Sequence, residues 1–66
     1  MKISVNGEAR DVADGYTVAD LIRDMGLEKR RLAVEVNLDI VPRSGFAGHE
    51  LQAEDRVEIV YAIGGG

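Results

Sequence analysis

Few residues in this chain could do chemistry of their own. It has no cysteine and one histidine, His49. No second ligand stands at helical or hairpin spacing from His49, so it makes a poor metal site or acid–base pair. No Ser/His/Asp or Cys/His set is present, and no glycine-rich loop lies between a strand and a helix to cradle phosphate. Catalytic residues and metal ligands are therefore assigned to none of the side chains. The exceptional stretch is Ala62-Ile63-Gly64-Gly65-Gly66. Its reactive group is one carboxylate, on Gly66. A carboxylate is a poor acyl donor until it is activated, and an activated acyl group must be kept from water, which calls for narrow enzyme sites. Gly64 and Gly65 have no Cβ and reach backbone angles closed to other residues, so they can enter such a channel. Ile63 leads into it.

The rest of the chain must hold and deliver that tail. Lys2-Ile3-Ser4-Val5 alternates polar and apolar, as a half-buried strand does, with Ile3 and Val5 inward. Asn6-Gly7 suits a type I′ hairpin turn, and Glu8–Val12 returns. Thr17 stands at a helix N-cap with Asp20 three residues on, an arrangement resembling a capping box. Val18, Leu21, Ile22 and Met25 fall at i, i+3, i+4 and i+7, predicting a helix over 18–25 with Gly26 just past its end. Glu28-Lys29-Arg30-Arg31 is a charged connection whose three cations in a row can serve as a docking patch, although such a run is more often a solvated loop. Leu32–Asn37 alternates again. Ile40-Val41-Pro42 is short, and Pro42 confines it to an edge. Residues 43–50 read as a loop with a turn of helix, with Phe46 plugging one end of the core. Val57–Tyr61 is the last strand, with Val57, Ile59 and Tyr61 on one face and Glu58 and Val60 on the other.

These elements predict an α+β fold, a mixed sheet packed on one main helix. The first and last long strands are expected side by side and parallel at the sheet centre, with the helix in a right-handed crossover. That is the architecture of a ubiquitin-like β-grasp domain. One domain over 1–66 is expected, with a flexible tail over about 62–66. At 66 residues the domain buries only ~60 % of its unfolded surface, and 45 % hydrophobic residues must supply the core without disulfides. The net charge of −4 argues against nucleic acid, which needs a basic footprint. No apolar run approaches the ~20 residues that span a bilayer, and Met1-Lys2 runs straight into a strand without a leader, so a cytoplasmic protein with no membrane partner is expected.

The whole chain resembles the bacterial thiamine-biosynthesis sulfur carrier family, the ThiS-like branch of the β-grasp proteins. The resemblance is carried by Val5-Asn6-Gly7-Glu8, Thr17-Val18-Ala19-Asp20-Leu21-Ile22, Val34-Glu35-Val36-Asn37, Ile40-Val41-Pro42-Arg43-Ser44, Asp55-Arg56-Val57-Glu58-Ile59-Val60 and Ile63-Gly64-Gly65-Gly66. Two positions depart from it. Leu38-Asp39 stands where the family often has a Gly-containing turn, and Glu54 where Gly often precedes the Asp. The resemblance implies that the Gly66 carboxylate attacks the α-phosphate of ATP held by an E1-like adenylating enzyme. Sulfur from a persulfide donor then displaces AMP and leaves a thiocarboxylate, which serves thiazole synthase in making the thiazole of thiamine. On this reading the protein binds no cofactor itself and is no enzyme, but a carrier acted on by partner enzymes. Ordering a glycine tail costs entropy, so affinity must come from elsewhere on the domain. Val60, with Ala33 on a neighbouring strand, is the candidate docking surface.

Three other readings share the tail. A molybdopterin-type sulfur carrier has the same chemistry and another acceptor, but such proteins tend to be longer. A ubiquitin-like modifier would be joined to lysines through Gly66. An interaction module with an inert tail would keep its activity after Gly65 and Gly66 are removed.

Overall fold

In a computed structural model, which describes residues 1–61, these elements form β1 (Lys2–Val5), β2 (Glu8–Asp11), α1 (Val18–Asp24), β3 (Leu32–Val36), β4 (Asp39–Val41) and β5 (Arg56–Tyr61), with a 3-10 turn at Arg43–Gly45. The strands make one mixed sheet in the order β2-β1-β5-β3-β4. β1 and β5 run parallel, with Val5 opposite Val57; the other pairings are antiparallel. The expected central parallel pair is therefore present, and β5 is the middle strand.

Period-two alternation sorts the sheet into two faces. Ile3, Val5, Val34, Val36, Val41, Val57 and Ile59 are buried and meet Val18, Leu21 and Ile22 of α1. Phe46, Leu27 and Leu51 close the ends of this core. The Thr17 hydroxyl accepts from the Asp20 amide at 3.1 Å, and the Asp20 carboxylate accepts from the Thr17 amide at 3.0 Å, so the shorter Asp completes a capping box. The next free amides of the helix end, Val18 and Ala19, donate to the carbonyls of His49 and Phe46. The 46–50 segment thus caps α1 as well as plugging the core. At the other end Met25 is the C-cap rather than the last helical residue. Gly26, at φ +72°, donates to Arg23, and Leu27 donates to Ile22, the paired bonds of a Schellman motif.

The two departures from the family pattern are both left-handed residues. Asn37 and Leu38, at φ +51° and +74°, form the two-residue turn between β3 and β4, and Glu54 has φ +72° just before β5. The turns that glycine normally serves are kept, with the strain carried by residues that have a Cβ. A residue with a Cβ in this region costs ~1–2 kcal/mol, part of which glycine gives back through its freer unfolded chain. Leu38→Gly and Glu54→Gly should each raise stability by about 0.5–1 kcal/mol, read as a Tm increase of ~2–6 °C.

Two titrating groups brace α1. Asp20 is held below the usual carboxylate range, first by the Thr17 amide and then by Arg23 at 2.8 Å. Its contribution is present above pH ~4 and lost as pH falls through the lowered value. Tyr16 donates its phenol proton to Asp24 at 2.6 Å; desolvation, then this bond, push its pKa up from 10.0 to about 12. The raised value means the contribution is complete below pH ~10 and withdrawn as pH climbs towards ~12. Tyr16→Phe should flatten the fall in Tm between pH 10 and 12 relative to the parent, as followed by circular dichroism.

Candidate functional site

β5 is paired with β1 at Arg56 and Val57 and with β3 from Val57 through Tyr61, where Leu32 is its partner. It delivers the chain to Tyr61 at one end of the sheet. The assigned tail residues Ile63, Gly64, Gly65 and Gly66 lie outside the described residues. Of the two docking candidates, Val60 is 57 % exposed and directly opposite Ala33, which is exposed as well. Both sit on the sheet face turned away from α1, because their neighbours Val34 and Ile59 point into the core.

Sequence reasoning missed what surrounds this pair. Val60, Ala33, Leu32 and Tyr61 floor an open depression of about 450 Å³, and Arg31 and Arg43 stand at its margin. The guanidinium of Arg30 lies 5.5 Å from the centre of the Tyr61 ring, within cation–π range. Arg43 donates to the carbonyls of Glu28 at 3.2 Å and Arg30 at 2.7 Å, and sits 5.6 Å over Phe46. The charged connection is thus tied down by Arg43, which holds Arg30 and Arg31 near the end of β5. Nothing in the run Glu28–Arg31 announces this, since the clamp comes from a residue thirteen positions beyond Arg30. The exposure of Ile40 (70 %) was also missed. The two-residue turn at Asn37-Leu38 would have revealed it, because that register puts Ile40 opposite Glu35 on the outer face.

Residues 3–66 match the model of the ThiS family. The chain belongs to the ThiS family, the sulfur carriers of thiamine biosynthesis. It is 33 % identical over 66 residues to the sulfur carrier protein ThiS of Escherichia coli K12, with all of both chains covered. The crystal structure of the thiamine biosynthesis protein ThiS from Geobacter metallireducens superposes with a TM-score of 0.83 at 29 % identity, again over the full length of both. The chain is also 44 % identical to a thiazole synthase of Paramagnetospirillum magneticum and 38 % to one of Magnetococcus marinus. It spans 20 % of the length of each of these two. The β-grasp architecture expected from the sequence is that of the ThiS structures.

Around Val60 the described side chains of this ThiS-family fold offer apolar surface bordered by positive charge. No group of three or more metal-ligating side chains converges among the described residues, and no helix there is long and apolar enough to cross a membrane. The arginine clamp gives the surface its shape. Arg43→Ala should speed hydrogen exchange at the Arg30 amide, which donates to Leu27 at 3.0 Å, by roughly tenfold, while global stability falls by no more than ~1 kcal/mol.

Proposed function

We propose that this chain carries sulfur as a thiocarboxylate on Gly66 and gives it up to thiazole synthase. The observation that carries the reading is the union of a ThiS-family β-grasp with a family match that runs through Ile63-Gly64-Gly65-Gly66. An oxygen of the Gly66 carboxylate attacks the α-phosphorus of ATP on an E1-like adenylating enzyme, and pyrophosphate leaves. The terminal sulfur of a persulfide attacks the acyl carbon, and AMP leaves. A thiol then cleaves the sulfur–sulfur bond, and the thiocarboxylate remains on Gly66. The chain supplies the acyl group, and its partners supply the catalysis. The thiazole synthase partner is supported by the two synthases within which a segment like this chain occurs. On this reading the work is done in the cytoplasm, where ATP and persulfide donors meet.

The fold's part is delivery. β5 is paired with β3 as far as Tyr61, so the carboxylate is presented five residues beyond a paired position. Reach over that span is at most ~17 Å in extended chain, enough to enter a buried site while the domain stays outside it. Val60 and Ala33 are the apolar contacts that offset the entropy of ordering the glycines.

The chain incubated with ATP, its adenylating enzyme and a persulfide donor should gain the mass of one sulfur minus one oxygen, read by intact-protein mass spectrometry. Gly65→Val should abolish the gain while leaving the Tm within a degree or so, since the residue follows the last strand. An unchanged mass for the parent chain with competent partners would count against every sulfur-carrier reading.

A further inference from the structure

The open depression at the end of β5 offers apolar surface in one part and positive charge in another. Val60, Ala33, Leu32 and Tyr61 make its floor, and Arg31 and Arg43 stand at its margin. Arg30, held over the Tyr61 ring, adds a third cation beside them. Arg31 is exposed, and the ion pairs among the described residues, Arg23 with Asp20 and Asp24, do not engage it. Arg43 gives its hydrogen bonds to two neutral carbonyls, so its charge is not cancelled. Along the same face, the next outward pair after Ala33–Val60 is Glu35–Glu58, with Arg56 beyond Glu58 on β5. The two carboxylates repel an anion from that side, so an anion in the depression is drawn to the arginines beside Tyr61.

We propose that the depression is the resting site of the chain's own tail, with Ile63 on the apolar floor and the Gly66 carboxylate at Arg31 and Arg43. This rests on the proposed function in taking Gly66 to carry a carboxylate, and it adds a contact which that function does not require. The chemistry of the occupant is written in the sequence. Residues 62–66 hold one large apolar side chain, Ile63, and the carboxylate comes three residues later. Tyr61, to which they are joined, itself lines the depression, so the tail starts at its edge. Five residues reach at most ~17 Å when extended, and Gly64 and Gly65 admit the positive φ that a tight reversal demands. A guanidinium then meets the carboxylate with a planar fork of donors. Ordering glycines costs entropy and an exposed ion pair returns little, so the docked tail exchanges readily with an undocked one. The docked tail covers Val60 and Ala33, the surface assigned to docking. A partner that binds there displaces the tail, so docking and release of the carboxylate become one event.

The test uses the 66-residue chain, labelled with 15N, and no partner. Its backbone order parameters are read by NMR, and its spectrum is compared with that of the same chain bearing a Gly66 carboxamide, which removes only the charge. At low salt Gly65 of the parent should have an order parameter above ~0.6, the value below which backbone counts as flexible. The carboxamide should shift the amides of Arg31 and Ala33, which lie far from Gly66 in sequence. Arg31→Gln, and separately ~0.5 M salt, should each bring Gly65 below ~0.6 and abolish those shifts. Arg56→Gln, which removes one cation from the same face beyond Glu58, should leave both readouts as in the parent. Gly65 below ~0.6 in the parent, with no response of Arg31 or Ala33 to the carboxamide, would overturn the proposal. An equal response to Arg56→Gln would also overturn it, by reducing the effect to net charge. So would shifts that grow with protein concentration, which would assign the contact to the tail of a second copy. Because neither ATP nor enzyme is present, these outcomes are distinct from the mass gain that tests the carrier reading: a gain without a docked tail sinks this proposal alone, and a docked tail without a gain sinks the carrier reading alone.

Discussion

The parallel pairing of β1 with β5 is the constraint on which the rest of the molecule depends. It joins the two ends of the described chain across about fifty residues of sequence. Ser4 donates to Asp55 at 3.0 Å, Asn6 donates to Val57 at 2.9 Å, and the Asn6 side chain accepts from Ile59 at 2.7 Å. Closing so long a loop is entropically costly, so these bonds form only because β1 and β5 bury Ile3, Val5, Val57 and Ile59 against α1 at the same time. Once β5 is central, β3 can pair on its free side and β4 is left at the edge. Asp55 then acts as a clip. Only 8 % exposed, it accepts from the Gln52 amide at 2.8 Å and from the Asn37 side chain at 2.9 Å, tying the β3–β4 turn to the start of β5.

The two faces of this sheet answer to different demands. The inner face is apolar and continuous, as a small domain without disulfides requires. The outer face is not optimised for the domain alone. It sets Glu35 against Glu58 and leaves Ile40 and Val60 to water. Leu38, left-handed and 81 % exposed, adds strain beside it. Terms of this kind cost tenths of a kcal/mol to about one each, small against the core but concentrated on one surface.

Much of the fold was legible because local signals and the global fold agree. Asn6-Gly7, the Thr17 cap, Gly26 and the alternation of Val57–Tyr61 each name one structure and each forms it. The outward turn of Val60 and the strand neighbour Ala33 followed from the same period of two. What was not legible came from residues distant in sequence. The Arg43 clamp, the capping of Val18 and Ala19 by carbonyls at 49 and 46, and the Glu35–Glu58 confrontation depend on strand register and loop path. A glutamate on an exposed strand position looks the same in sequence whether a cation or another glutamate faces it. The turns at Leu38 and Glu54 were legible only through the family pattern, in which glycine often stands there: a leucine and a glutamate give no signal of positive φ of their own, although both occupy it.

The position of β5 also bears on how a carrier domain keeps its shape while its tail is in use. A partner that draws a chain end into a channel pulls on the strand to which that end is attached. An edge strand under such a load would lose one ladder of hydrogen bonds and could peel. β5 is held by β1 near its start and by β3 from Val57 through Tyr61, with Asn6 bonded to Ile59 between them. A load at Tyr61 is therefore borne by the antiparallel ladder to β3 and by the buried side chains of Val57 and Ile59 together. On the proposed reading, carrying the reactive carboxylate beyond the middle strand separates two requirements: the glycines serve access, and the residues that resist displacement are those of β5 up to Tyr61.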